Sequence, residues 1–233
     1  MPTKSYILVK RVFDILASSL ALFCLLPLFL PLMLVLRFIG EGEVFYLQER
    51  IGFQGRKFRL IKFATMLRDS PNMGTRTITI KNDPRVLPLG RFLRKMKINE
   101  LPQFINVLKG DMSMVGPRPQ TEECYRYFPE KDRDKIFQVK PGLSGIGAIV
   151  FRDEEEILAR SDKGYDRCYR EDIMPYKHAL ELWYLDHRSF LIDMEIIALT
   201  AVAVLCPGSF VPGKYLKDLP KFEPSTAQCI VNR

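Results

Sequence analysis

The chain has 233 residues, of which 47% are hydrophobic and 27% charged, which excludes a disordered or collagen-like polymer. Its net charge of +8 favours polyanionic partners: nucleic acid, anionic lipid or a phosphorylated substrate. Five cysteines without a C-x-x-C pair, and His178 and His187 as the only histidines, indicate neither a disulfide framework nor a zinc knuckle. They leave little for a Ser-His-Asp triad, and a reducing compartment is the simpler reading.

The first element is a membrane segment. Ile15 to Leu36 carries no charged residue. At about 1.5 Å per residue such a helix reaches roughly 33 Å, enough to cross a bilayer. A signal peptide and a buried core helix rank below this reading, because the run is long, has no clear cleavage site and has no polar side. Pro27 and Pro31 each remove a helix hydrogen bond and can bend the rod. A sharp bend at Pro27 predicts a re-entrant helix that returns to the face it entered. Lys4, Lys10 and Arg11 before the segment and Arg37 after it suit that topology, although Glu41 and Glu43 weaken the signal.

Val44 to Glu49 and Lys57 to Phe63, either side of Gly52 and Gly55, read as a β-hairpin. Arg68 to Asp83 reads as a loop. Leu89, Phe92, Leu93 and Met96 share one helix face, with Arg91, Arg94, Lys95 and Lys97 around it. A second helix begins near Asn99-Glu100-Leu101-Pro102, since proline suits a first helical turn. Pro117 and Pro119 hold Arg118 in a stiff turn. Cys124 to Gln138 reads as helical. Gly142 to Gly147 reads as a glycine loop, Ala148 to Phe151 as a short strand ending at Arg152, Asp153 to Glu156 as a solvated acidic face, and Asp172 to Leu185 as a helix. Ile196 to Cys206 is too short to span a bilayer and reads equally as an interfacial or a core helix. The tail after Gly208 has three prolines and no periodicity.

These features suggest phosphate chemistry. A guanidinium such as that of Arg118 or Arg152 grips two phosphate oxygens at once. A glycine loop offers backbone N–H groups to an anion. Glu100 suits Mg²⁺ or a phosphoryl centre. Each signal alone is weak: surface ion pairs and helix-start charges are as common.

Their order is specific. Lys10-Arg11-x-x-Asp14, the apolar segment with Pro27, Val44-Phe45-Tyr46-x-Gln48-x-Arg50-x-Gly52, Lys62-Phe63-x-Thr65-Met66, Asp83-Pro84-Arg85, Leu93-Arg94, Glu100-Leu101-Pro102-Gln103, Asn106-Val107-Leu108-x-Gly110-Asp111-Met112-Ser113, Val115-Gly116-Pro117-Arg118-Pro119 and Pro141-Gly142-x-x-Gly145 together resemble the bacterial sugar transferases, monotopic polyprenyl-phosphate phosphoglycosyltransferases. The resemblance runs from about Lys10 to Arg152 and more weakly to Asp193.

It implies an α+β fold, mainly α-helical with a small β-hairpin, carrying a re-entrant membrane helix and interfacial amphipathic helices. The expected organisation is a membrane-inserted part (1–40), a cytoplasmic catalytic domain (41–207) and a tail (208–233). The implied reaction moves a sugar 1-phosphate from a nucleoside diphosphate sugar, usually a UDP-sugar, to undecaprenyl phosphate at the cytoplasmic face of the bacterial inner membrane. UMP leaves, Mg²⁺ is the cofactor, and the product starts a surface glycan, with glycan-assembly enzymes as possible partners. Residue by residue, Glu100 matches the metal-linked glutamate, Arg118 and Arg152 the phosphate-holding arginines, Lys62 a basic residue near the site, Glu181 an acidic position, and Pro27 the helix-breaking proline.

The resemblance has departures. Such enzymes carry the phosphosugar on an aspartate, and that position is Asn99 here. Three alternatives stay open: Glu100 is the nucleophile, transfer is direct, or the chain is inactive or engineered; the intact motifs around Asn99 favour an active natural variant. Leu26, Ala64 and Phe151-Arg152-Asp153 also differ from the usual residues, and the insertion from Asp153 to Lys177 is long. A non-catalytic membrane scaffold is the competing reading. A nucleic-acid binder is disfavoured, for no nucleic-acid motif occurs and such a protein has no need of Ile15 to Leu36.

Overall fold

The computed structural model describes residues 4–39, 41–74, 79–205 and 216–220; the tail assigned to 208–233 falls mostly outside them. The helix α1 (Lys4–Phe38) runs unbroken through both prolines, so the helix is not divided in two at Pro27. It is the one described helix long and apolar enough to cross a membrane. Leu16, Leu20, Phe23, Leu30 and Leu34 stand 61–73% exposed along it. An apolar strip of this size is stable against lipid rather than water.

Polar anchors dock the start of α1 on the body. Buried Asp14 accepts hydrogen bonds from Ser113 Oγ (3.1 Å) and Met114 N (2.9 Å). Lys10 pairs with Asp193 at 2.6 Å. Arg11 donates to the carbonyls of Val107 (2.8 Å) and Leu108 (2.9 Å) in the last turn of a helix. The far end of α1 docks by packing: Phe29 and Leu36 are buried with Phe63 and Leu93.

Strands β1 (Phe45–Ile51) and β2 (Lys57–Phe63) form the expected antiparallel hairpin, from Phe45 opposite Phe63 to Ile51 opposite Lys57. Gln54 and Gly55 turn it with φ of 56° and 70°. The loop beyond it is held by a buried fork. Arg85 Nε and Nη2 reach Asp83 at 2.9 and 2.6 Å, and Arg85 Nη1 donates to the carbonyls of Ser70 and Met73 at 3.0 Å. The helices α2 (Pro88–Lys95) and α3 (Gln103–Lys109) follow as read from their apolar spacing. Asn106 clamps α3 to β2: its amide donates to Arg59 O (2.8 Å) and accepts from Ile61 N (3.0 Å). A buried side chain so fully bonded fixes register.

A second, parallel pairing joins β3 (Ser113–Val115) to β4 (Gly142–Ser144). It needs glycine. A Cβ on Gly142 would lie 2.1 Å from Gly116 N, and one on Gly145 would lie 2.4 Å from Gly116 O. Backbone therefore presses on backbone there. The segment expected to be helical from Cys124 is two short helices, α4 (Glu122–Arg126) and α5 (Glu130–Ile136), separated at Pro129. The strand expected at Ala148 to Phe151 is instead the helix α6 (Ile146–Val150). Ile146 and Ile149 are both buried, an i, i+3 pair that faces the core.

The helices α7 (Glu154–Ala159) and α8 (Tyr165–Cys168) and a π-helical turn (Tyr169–Ile173) lead into α9 (Met174–His187), and α10 (Phe190–Leu205) closes the chain's main core. Leu180 of α9 and Ile196 of α10 are fully buried there with Ile146 and Ile173. That core accounts for the inner face of α10. Its Leu191 and Leu205 are 69% and 78% exposed, so the helix is both a core and a surface element.

Candidate active site

Four separate elements deliver charged side chains to one cleft of about 1200 Å³. Lys62 lies near the end of β2. Glu100 closes a short 3₁₀ turn (Ile98–Glu100), entered through Lys97 with φ of 58°. Arg118 leaves the glycine-bound strand β3 through Pro117. Arg152 follows α6. Lys62, Asn99, Glu100, Arg118 and Arg152 all line this cleft.

Glu100 is at its centre, 3.2 Å from Lys62 Nζ and 3.6 Å from Arg118 Nη2. Burial works against its ionisation, but the nearby Lys62, Arg118 and Lys97 outweigh it and hold the carboxyl well below the usual range. The cations show the reciprocal strain. Burial pushes Lys62 down to about 8, with Arg50, Arg118 and Arg94 adding to the effect against the pull of Glu100. Arg50 is pushed down to about 10 by burial and by Arg118. For Arg118 burial is outweighed by Glu100 and more distant acids, and its value rises. One carboxylate thus stands among a surplus of cations, the arrangement expected where phosphates bind.

Arg50 and Lys97 are functional candidates that the sequence reading left without a role. Arg50 shares a β1 face with Gln48, whose Oε1 accepts from Arg50 Nη2 at 2.7 Å, and it also donates to Pro119 O at 3.1 Å. The i, i+2 spacing of Gln48 and Arg50, with Tyr46 opposite Lys62, was the available signal. Lys97 Nζ reaches Arg152 O at 3.4 Å. Lys177, on the cleft wall, gave no local signal. It is 5% exposed, pairs with Glu154 and sits 5.2 Å from the ring centres of both Phe151 and Tyr169. The acidic run from Asp153 is accordingly not a plain solvated face: Glu154 and Glu155 hold Lys177 and Arg94.

Glu181 lies behind the cleft and does not line it. Only 2% exposed, it accepts a hydrogen bond from Arg118 N at 3.2 Å and packs beneath Gly147, where a Cβ would come within 3.0 Å of its Oε1. Burial raises it to about 7. It thus backs the Arg118 turn.

Pro27 lies outside the cleft as well. With Leu28, Pro31 and Val35 it faces Phe92 and Ile98 across an apolar groove of about 310 Å³. The helix α2 divides the two spaces. Its Leu89, Phe92 and Leu93 line the groove, and its Arg91, Arg94 and Lys95 line the cleft.

Among the described residues no three His, Cys, Asp or Glu side chains cluster for a metal. Mg²⁺ is commonly held by one or two carboxylates together with substrate phosphates. Glu100, beside an Asn99 whose buried Oδ1 has no hydrogen-bond partner, fits that minimal donor set.

The family profile described as "Bacterial sugar transferase" matches residues 5–207. The chain is 34% identical to the exopolysaccharide production protein ExoY of Rhizobium meliloti, over 86% of this chain and 88% of that one. It is 36% identical to the undecaprenyl-phosphate glucose phosphotransferase of Komagataeibacter xylinus, covering 82% of this chain and 35% of that longer protein. It is 33% identical to the UDP-N-acetylgalactosamine-undecaprenyl-phosphate N-acetylgalactosaminephosphotransferase of Aeromonas hydrophila, covering 88% and 45%. A profile spanning most of its length, with a cationic cleft beside an exposed apolar helix, establishes that this chain belongs to the bacterial sugar transferase family and is a transferase enzyme.

Proposed function

We propose that the chain transfers a sugar 1-phosphate from a UDP-sugar to undecaprenyl phosphate, releasing UMP, at the cytoplasmic face of the bacterial inner membrane. The carrying observation is the division made by α2, with a cleft of surplus cations on one side and an apolar groove against α1 on the other. An acceptor with a phosphate head and a hydrocarbon tail matches that division. The relatives named for undecaprenyl-phosphate sugar transfer support the substrate classes. ExoY, named for exopolysaccharide production, supports the start of a surface glycan, and glycan-assembly enzymes are the partners such a product requires.

In this reading Arg118 and Arg152 grip phosphate oxygens, and Lys62, Arg50 and Lys97 lower the potential at the diphosphate. Glu100 with the substrate phosphates would hold Mg²⁺, which supplies charge neutralisation at the leaving phosphate. Glu100 also keeps Lys62 and Arg118 oriented at 3.2 and 3.6 Å before substrate arrives, and such preorganisation is a main source of rate.

A re-entrant placement of α1 is part of the proposal. A straight helix of 35 residues is about 52 Å long, yet its start and its end both dock on one body, through Asp14 and through Leu36. Contacts at both ends favour a helix whose two flanks stay on one side of the bilayer. Asn99 also favours a second reading, a non-catalytic lipid-phosphate binder. One assay separates them: purified protein in detergent with undecaprenyl phosphate and UDP-glucose, UDP-galactose or UDP-N-acetylgalactosamine. UMP release with a lipid-linked sugar is expected, and its loss in Glu100→Gln. No product from any donor would leave only the binder.

A further inference from the structure

A covalent route needs a nucleophilic side chain that faces the cleft and is free to attack. Acids of the cleft wall among the described residues are engaged elsewhere: Glu154 holds Lys177, Glu155 holds Arg94 at 2.9 Å, Glu156 holds Lys81 at 3.1 Å, Glu43 pairs with Arg68 at 3.4 Å, Glu41 accepts from Arg68 N and Asp83 holds Arg85 at 2.6 Å. Glu100 is gripped by Lys62 and Arg118 together. Cys124 is buried in the main core with its Sγ 3.6 Å from Tyr169 Oη, and neither histidine lines the cleft. The residue beside Glu100 is Asn99, 5% exposed, and a neutral amide is a poor nucleophile at phosphorus.

Two further observations point the same way. The cleft, at about 1200 Å³, exceeds the roughly 300–1,000 Å³ of a site for one small ligand. Its cations also outnumber what one diphosphate requires: Arg50, Lys62, Lys97, Arg118 and Arg152 line it, and Glu100 pairs with two of them, Lys62 and Arg118. The amide at Asn99 adds no negative charge to repel an incoming phosphate dianion.

We propose that the acceptor's own phosphate is the nucleophile, so that transfer is one in-line displacement inside a ternary complex and no phosphosugar is carried on the chain. This deepens the function proposed above and rests on it. An oxygen of the acceptor phosphate attacks the sugar-bearing phosphorus of the donor. The new P–O bond forms as the bond from that phosphorus to the bridging oxygen breaks. The electron pair stays on the bridging oxygen, which departs with the nucleoside monophosphate. One phosphate dianion enters and one leaves, so no side chain has to move a proton, and the phosphorus inverts.

The test uses the full chain, delipidated in detergent, with whichever of the three UDP-sugars gives product. Isotopically labelled UMP is added with donor and no acceptor. No label enters the UDP-sugar, initial rates over a donor and acceptor grid intersect, and intact-mass spectra show the bare chain. Asn99→Asp gains acceptor-independent label exchange. Exchange or a phosphosugar adduct in the unaltered chain, alongside lipid-linked product, overturns direct transfer and leaves the function standing. Absence of exchange in Asn99→Asp, if that variant still makes product, overturns the assignment to residue 99. Absence of lipid-linked product from every donor overturns the function itself.

Discussion

Two groups of charges in the molecule are handled in opposite ways. At the root of α1, Asp193 is saturated: it accepts from Lys10 (2.6 Å), Tyr6 (2.9 Å) and Tyr184 (2.8 Å). Asp14 is likewise bonded to Ser113 and Met114. In the cleft the balance is broken, and Glu100 serves Lys62 and Arg118 while Arg50 makes do with an amide and a carbonyl. Saturated charges hold the fold; surplus charges await a ligand. The two regions therefore predict different kinds of damage.

The largest effect is expected at the root. Asp193→Ala strands Lys10 and two hydroxyls, and removing one partner of a buried pair costs about 3–5 kcal/mol. Thermal unfolding in detergent reads this as a large drop in Tm, and Asp193→Asn, which keeps an acceptor oxygen for one of the two tyrosines, restores part of it. Arg118→Ala should do the reverse: kcat falls by about 10²–10³, as for loss of a preorganised charge donor, with Tm changed much less. Arg118→Lys recovers only a fraction, because a point charge does not replace a planar fork. Equal Tm losses in the two alanine variants would erase the distinction between the regions.

Glu181 belongs to neither class, and pH brings it out. Its ordinary value of 4.5 is raised to about 7 in the fold, so the folded chain keeps a proton that the unfolded chain releases. Stability therefore falls as pH rises from about 4.5 to 7 and stays reduced above that. Glu181→Gln removes the dependence. Its Tm advantage over the unaltered chain should be absent at pH 4.5, grow toward pH 7 and level off, at no more than roughly 3 kcal/mol. A flat difference across that range would mean the carboxyl is not neutral in the fold. The smallest effect is expected on the surface. Glu122 bridges Lys57 (3.0 Å) and Arg126 (2.9 Å) in solvent, and Glu122→Ala should leave both Tm and turnover unmoved, because exposed pairs are screened.

Much of this was legible in the chain itself. The hairpin was visible in its β-rich runs around Gly52 and Gly55. The helix α2 was visible in the spacing of Leu89, Phe92, Leu93 and Met96. Lys62, Asn99, Glu100, Arg118 and Arg152 were legible through the order of the motifs, and the fold brings all five to one cleft. What local pattern could not reveal depended on tertiary contacts. Ala148-Ile149-Val150 has β-rich composition but winds into α6 because Ile146 and Ile149 both find the core. Pro27 and Pro31 lie inside one helix, since a proline within a helix can bend it without ending it. Glu181 has the right chemistry for a substrate contact, yet the packing of α9 under Gly147 turns it to the back of the Arg118 turn.

The contact of Gly116 with Gly142 and Gly145 has a practical corollary. Arg118 lies two residues past one side of that junction, and Arg152 a few residues past the other, at the end of α6. The two guanidinium groups are thus carried on a single casting. The stretch from 153 to 168 borders the same cleft through Glu154 and Glu155 but takes no part in the glycine junction. Chimaeras that exchange only that stretch with other sugar transferases should therefore leave the two guanidinium groups in register.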